Sequence, residues 1–246
     1  MNISYGQHIA LSNKQVSDGI YKLTVSGSFK GVPGQFYMLK CSSEGALLPR
    51  PISIYDIDEN SITFLYNVVG KGTKALSKIA KGDSVELHGP LGNGFNVGGL
   101  SGRVAIVTGG IGIAPMLYTA KAIKDCEIDL YSGFRNSIYE VENFNEYVNK
   151  IVISTESGEI GSKGYITNVF KPEDYDVVLC CGPEVMMNRV ILMCREKKVP
   201  VYVSMEKHMA CGVGACLVCT CKTKDGNKRT CKDGPVFLGE EVLLDA

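Results

Sequence analysis

The chain has 246 residues, room for two domains, or two with a small third. Its 26 basic and 26 acidic residues cancel, which removes the charge argument for nucleic acid or an anionic membrane as a partner. No apolar run approaches the ~18 residues of a membrane-spanning helix, and the opening residues lack the basic flank and apolar core of a signal peptide. With ten cysteines, that predicts a reducing compartment and a cytoplasmic protein.

Residues 1–99 read as β structure. Alternating or β-rich stretches at 19–25, 35–41, 52–55, 61–69 and 84–88 are separated by turn formers such as Gly31-Val32-Pro33-Gly34, Asp58-Glu59-Asn60 and Lys81-Gly82-Asp83. Such spacing predicts an antiparallel barrel or sandwich. The run 89–102, with six glycines in fourteen residues, reads as a linker loop. Within this part, Arg50-Pro51-Ile52-Ser53 leads into a strand, and alone it is no more than a solvated turn arginine. Gly70-Lys71-Gly72-Thr73 then opens a helix-compatible segment. Glycine and threonine there offer N–H groups and a hydroxyl to a phosphate, and an arginine offers a bidentate partner, so the two pieces together predict a pyrophosphate clamp.

From residue 103 the period changes. Apolar strand runs at 104–107, 128–131, 151–154, 177–181 and 201–204 alternate with helical patterns at 116–124, 140–149 and 184–198. That alternation predicts a doubly wound parallel sheet. Directly after its first strand comes Thr108-Gly109-Gly110-Ile111-Gly112-Ile113-Ala114-Pro115, a glycine-rich turn able to cradle a dinucleotide, with Pro115 in place of a third glycine; a tight structural turn is the rival reading. Cys180-Cys181-Gly182-Pro183 ends another strand at the sheet's carboxyl edge, where ligands bind. Cys180 reads as core, while Cys181 suits either the core or a site facing a nicotinamide ring.

Near the end, Cys211, Cys216, Cys219 and Cys231 are spaced C-x4-C-x2-C-x11-C. The first intervals match the spacing by which plant-type ferredoxins hold a [2Fe–2S] cluster. Zinc and disulfides are the rivals, though structural zinc usually takes two short pairs rather than three bunched ligands and one apart. Cys221 breaks the spacing and reads as a non-ligand. The segment 206–246 is too small for much core of its own, so a cluster would staple it. His8, His88 and His208 fall in unrelated segments, and no triad or acid–base pair is apparent.

Taken in order, Arg-Pro-x-Ser, Gly-x-Gly-Thr, GGIGIAP, CGP and the cysteine set resemble the ferredoxin-reductase-like flavoproteins over the whole chain. More narrowly they resemble the electron-transfer subunits of NAD-dependent (type B) dihydroorotate dehydrogenases, most specifically in 205–216 and 233–237. The resemblance implies an oxidoreductase subunit of mixed α+β class: a FAD-binding β-barrel domain over 1–99, an NAD-binding α/β domain over 100–205 and a [2Fe–2S] domain over 206–246. It implies an FMN-containing catalytic subunit as partner, two of each in a heterotetramer, serving pyrimidine biosynthesis. Carried over, Arg50, with Pro51 and Ile52 beside it, contacts the FAD pyrophosphate, and Ser53 lies near the reactive flavin nitrogen. Asn67, Val68 and Val69 line the flavin with backbone groups, and Gly72 and Thr73 hold phosphate. Gly109, Gly110, Gly112, Cys181, Gly182 and Pro183 border the nicotinamide nucleotide. The broader pattern has a flavin-stacking tyrosine where this chain has Ile52. Arg135 is a candidate partner for an NADP 2′-phosphate and Glu156 a candidate ribose ligand. Phe237 is a candidate for reaching the flavin, with the core as its plainer use. The main alternative is an NAD(P)H-dependent reductase that sends electrons outward to an oxygenase or ferredoxin; a zinc-stapled nucleotide-sensing module is the non-catalytic one.

Overall fold

A computed structural model of the chain describes residues 3–41 and 47–244. Strands β1 (Ser4–Ser17), β2 (Ile20–Ser26), β3 (Phe36–Cys41), β4 (Arg50–Asp58), β5 (Ser61–Asn67) and β6 (Ser84–Leu91) close into an antiparallel barrel, ordered β1-β2-β5-β4-β3-β6. Helix α1 (Lys71–Leu76) connects β5 to β6. The two-residue period of a strand explains the packing. In β5, Ile62, Phe64 and Tyr66 fill the barrel, while Leu65 between them joins Tyr55 and Ile20 in the core of the neighbouring unit.

The second unit is a seven-stranded sheet of β7 (Gly102–Gly109), β8 (Cys126–Phe134), β9 (Lys150–Thr155), β10 (Ser162–Lys163), β11 (Val177–Cys181), β12 (Val201–Ser204) and, from the cysteine-rich segment, β15 (Val236–Leu238). Its order is β10-β9-β8-β7-β11-β12-β15, parallel throughout except for β15, which pairs antiparallel to β12. Helix α2 (Met116–Ala122) follows β7, and α3 (Glu184–Lys197) joins β11 to β12. In β7, Val104 and Ile106 pack towards α2, while Ala105 and Val107 pack towards α3, so the strand is buried on both faces. The chain leaves β7 for β8 on one side, and β11 lies on the other. A crevice therefore opens at their carboxyl ends.

Four readings of the sequence need correction. The helical pattern at 140–149 folds as one 3-10 turn, Val141–Phe144, followed by further turns. The glycine-rich run 89–102 begins inside β6 and then packs: Phe95 is buried, and Asn93 Nδ2 donates to the carbonyls of Lys232 (3.0 Å) and Asp233 (3.2 Å). The cysteine-rich segment, read as small and short of core, also contributes to the sheet: beyond the hairpin β13 (Thr220–Thr223) and β14 (Gly226–Arg229) it returns as β15. Finally, β1 carries no apolar alternation and was absent from the sequence reading; its backbone is held by pairing with both β2 and β6.

Barrel and sheet are pinned by a buried carboxylate. Glu140 accepts hydrogen bonds from Lys22 Nζ (2.8 and 2.9 Å), the Tyr55 hydroxyl (2.6 Å) and Asn143 Nδ2 (2.7 Å). Burial, reinforced by Glu140, holds the Tyr55 phenol far above its ordinary pKa, so it remains a donor. No helix among the described residues is long and apolar enough to cross a membrane.

Candidate functional site

A cavity of about 600 Å³ lies where the barrel, the sheet's carboxyl edge and the segment after β12 meet. From the barrel come Arg50, Pro51, Ile52 and Ser53 at the start of β4, Asn67 and Val69 after β5, and Thr73. Ile111, Ala114 and Pro115 enter from the loop after β7, and 204–209 from the far side. Thus Arg50, Pro51, Ile52, Ser53, Asn67, Val69 and Thr73 are brought together. Val68 is not among the lining residues: its side chain packs against the barrel core and its N–H donates to the Gly19 carbonyl (2.8 Å).

The Arg50 guanidinium spans Gly72, where any side chain would collide with it, and Nη1 is steadied by the Leu48 carbonyl at 2.7 Å. A fixed arginine over the bare backbone that opens a helix is a cradle suited to an anion, and it fits a pyrophosphate. The Thr73 hydroxyl is occupied differently from the expectation. It accepts from the N–H groups of Val69 (2.9 Å) and Gly70 (3.2 Å), capping α1 rather than standing free.

Gly109, Gly110 and Gly112 lie behind the cavity wall. At Gly112 a Cβ would strike the Cys181 carbonyl, so the turns at 109–112 and 181–183 are pressed backbone to backbone across the crevice between β7 and β11. Cys181 is buried, with its thiol pushed far up by burial and then by Glu206, and it stays neutral. Cys180 is core, as expected. Glu206 lines the cavity, and burial raises its carboxyl. Pro183 is exposed at the head of α3.

The cysteines fall into two hydrogen-bonding pairs, Cys211 with Cys216 and Cys219 with Cys231. Backbone amides point at these sulfurs, among them Val213 N and Cys216 N at Cys211 (both 3.5 Å), Gly214 N at Cys231 (3.1 Å) and Cys231 N at Cys219 (3.4 Å). At Cys211, burial raises the thiol but is outweighed by the amides of Cys216, Val213 and Ala215, and the pKa falls to about 6. At Cys231, burial and then Cys219 push it up to about 12. Amide-ringed sulfurs in a two-plus-two arrangement fit a cluster of two irons with two thiolates each. Among the described residues, no group of three or more His, Cys, Asp or Glu is arranged to hold a single metal ion. Cys221, set aside by spacing, is buried in a separate core with Phe237 and Val242.

One layer of side chains separates the cysteines from the cavity. Cys219 and Cys231 pack with Phe36, Met38, Leu91 and Met209, and of these Phe36 and Met209 also line the cavity. The sequence reading did not single out Phe36, Tyr66, Glu206 or Met209 as site residues: Phe36 and Tyr66 sit in no motif, and Glu206 and Met209 lie in the stretch 205–216 without a role of their own. Only the position of Met209 close ahead of Cys211 gave a signal.

Residues 206–243 match the iron–sulfur cluster binding domain of dihydroorotate dehydrogenase B. Over 245 residues the chain is 58% identical to the dihydroorotate dehydrogenase B (NAD(+)) electron transfer subunit of Clostridium acetobutylicum, covering 100% of both chains. It is 52% identical to that of Clostridium perfringens, covering 98% of this chain and 99% of the relative. Among solved structures, an NADH-dependent reduced ferredoxin–NADP oxidoreductase, described for flavin-based electron bifurcation, aligns with a TM-score of 0.86 at 29% identity, over 97% of this chain and 90% of the other. Barrel, sheet and amide-ringed cysteines thus agree with full-length relatives, and the chain belongs to the electron transfer subunits of NAD-dependent dihydroorotate dehydrogenase B.

Proposed function

We propose that this chain relays electrons from a dihydroorotate-oxidising catalytic subunit, through a [2Fe–2S] cluster and FAD, to NAD⁺. The partner carries FMN, the assembly holds two of each subunit, and the complex works in the cytoplasm in pyrimidine biosynthesis. In this reading 1–99 bind FAD, 100–205 bind NAD and 206–246 hold the cluster. What carries it is the shared wall: Phe36 and Met209 touch both the inner cysteines and the cavity.

When bound, FAD links one-electron supply to hydride delivery, which a cluster alone lacks. The chain's own residues bind and orient. Arg50 over Gly72 would hold the pyrophosphate, and Ile52, Ser53 and the backbone of Asn67 and Val69 would hold the flavin ring. Gly109, Gly110, Gly112 and the Cys181-Gly182-Pro183 turn hold the nicotinamide nucleotide against the cavity wall at Ile111, Ala114 and Pro115. Cys211, Cys216, Cys219 and Cys231 are the iron ligands. Cys181, buried and neutral, supplies shape rather than a nucleophile.

Cys216 is exposed, so Cys216→Ser leaves the inner wall intact. Reconstituted with the catalytic subunit, the variant loses orotate-linked NAD⁺ reduction while NADH oxidation by an artificial dye survives. Retention of both activities would reject the relay, and equal loss of both would show that the cluster is structural as well as electronic. Anaerobically purified chain should carry about two irons, about two sulfides and one FAD; colourless protein holding zinc would reject the assignment outright.

A further inference from the structure

Three buried side-chain atoms have no hydrogen-bond partner among the described residues: Ser154 Oγ, Arg195 Nε and Thr230 Oγ1. Burying a hydroxyl without a partner costs free energy, so each such group asks for a reason. Thr230 alone of the three stands among the cysteines. It is fully buried and directly precedes Cys231.

The hairpin register says which cysteine it faces. Strands β13 and β14 pair Cys221 with Lys228 and Thr220 with Arg229, and the next step sets Cys219 against Thr230. The backbone follows that register, since Thr230 N donates to the Cys219 carbonyl at 2.9 Å. Facing residues of an antiparallel pair keep their side chains on one side of the ladder, with β-carbons about 5 Å apart. Rotation about the Cα–Cβ bonds is then enough to bring hydroxyl and sulfur together. The place is held firmly. Cys231 N already points at Cys219 Sγ (3.4 Å). The turn that carries both residues is clamped where Asp233 accepts from Arg229 N (2.7 Å), Nε (3.0 Å) and Nη2 (3.1 Å).

We propose that the Thr230 hydroxyl donates a hydrogen bond to the Cys219 sulfur when that sulfur is an iron ligand, and so raises the reduction potential of the cluster. The sign follows from charge. A reduced cluster carries one more negative charge than an oxidised one, so a donor at its sulfur favours the reduced form. The amides of Val213, Gly214, Cys216 and Cys231 act in the same direction, but they belong to the backbone. Thr230 is a donor that a single substitution removes. This rests on the placement of a [2Fe–2S] cluster at Cys211, Cys216, Cys219 and Cys231.

The test uses the full chain, purified anaerobically with its iron, and a redox titration of the cluster followed by EPR. Thr230→Val has nearly the same shape and lacks the donor. Its cluster should be about tenfold harder to reduce at equilibrium, a midpoint about 59 mV below wild type for one electron. Thr230→Ala removes the same donor with a smaller side chain and should fall alike. Thr230→Ser keeps the donor and should stay within about twofold of wild type. In electron–nuclear double resonance after exchange into deuterated water, the valine variant should lose an exchangeable coupling that wild type and the serine variant show. The iron-free valine variant should melt no lower than wild type, because it buries no unpaired hydroxyl. A valine midpoint within about twofold of wild type, or a serine midpoint that falls as far as the valine one, overturns the proposal. So does an iron-free valine variant that melts well below wild type, since packing would then explain the fall. Wild type without an EPR signal after dithionite reduction overturns the cluster assignment instead, and the proposal with it.

Discussion

Gly72 lies so close beneath the Arg50 guanidinium that a single added methyl group collides with it. Alanine is the better helix former by about 1 kcal/mol, so Gly72→Ala leaves α1 intact or firmer while displacing the arginine. Flavin affinity should fall about tenfold, ~1.4 kcal/mol, with an unchanged or raised melting temperature. Fluorescence titration of the apoprotein with FAD measures the first and a thermal melt the second; wild-type affinity would detach Arg50 from the pyrophosphate. At this scale the sequence was legible where chemistry demands local spacing. Arg50 to Ser53 and part of the turn at 109–115 do line the cavity, and the cysteine intervals do bring the sulfurs into two pairs. Phe36, Tyr66 and Met209 reach the cavity from separate strands and segments, and no spacing in one dimension encodes that convergence. Thr73 shows the opposite failure, because a threonine at a helix start reads alike as a phosphate ligand or as a cap, and here its hydroxyl caps.

Elements tell a similar story. Val141, Phe144, Tyr147 and Val148 have helical spacing, and all four pack into the core beneath the sheet. The periodicity reported burial correctly but not conformation. Both ends of the segment are held elsewhere: Glu140, at φ 59°, is turned into the barrel, and Asn149 Oδ1 accepts from Ile128 N at 2.8 Å. Turns rather than a helix span that gap. Strand β1 escaped notice for the reverse reason, since only Ala10 is fully buried along it. The Glu140 tether has a measurable consequence. Glu140→Gln retains one acceptor oxygen for Tyr55 but removes the charge that Lys22 faces. Lys22 is 32% exposed, which screens the loss, so a destabilisation of about 1–2 kcal/mol is expected. Urea unfolding of the flavin-free chain reads it directly. A midpoint equal to wild type would show that the carboxylate does not hold barrel to sheet.

Across the whole molecule the cysteine-rich segment is tied in at several places, three of which bracket the cysteines. β15 completes the sheet through Tyr202↔Leu238 and its neighbours, Asn93 grips the carbonyls of Lys232 and Asp233, and the inner cysteines share a small core with Phe36, Met38 and Leu91. Between these ties, 206–234 contributes few apolar side chains, and its order depends on what the thiols hold. Taking the iron away should therefore loosen one region only. After anaerobic chelation under reducing conditions, limited proteolysis should cut within 206–234, while the barrel and the sheet through β12 stay resistant. Met209 belongs to both the loosened segment and the cavity wall, so FAD affinity should drop by about tenfold in the same sample. NADH binding, whose proposed contacts follow β7 and β11, should hold within about twofold. Cooperative unfolding of the whole chain on iron removal would mean that the segment is a keystone rather than an attachment. Unchanged flavin affinity would mean that the shared wall does not couple the two sites.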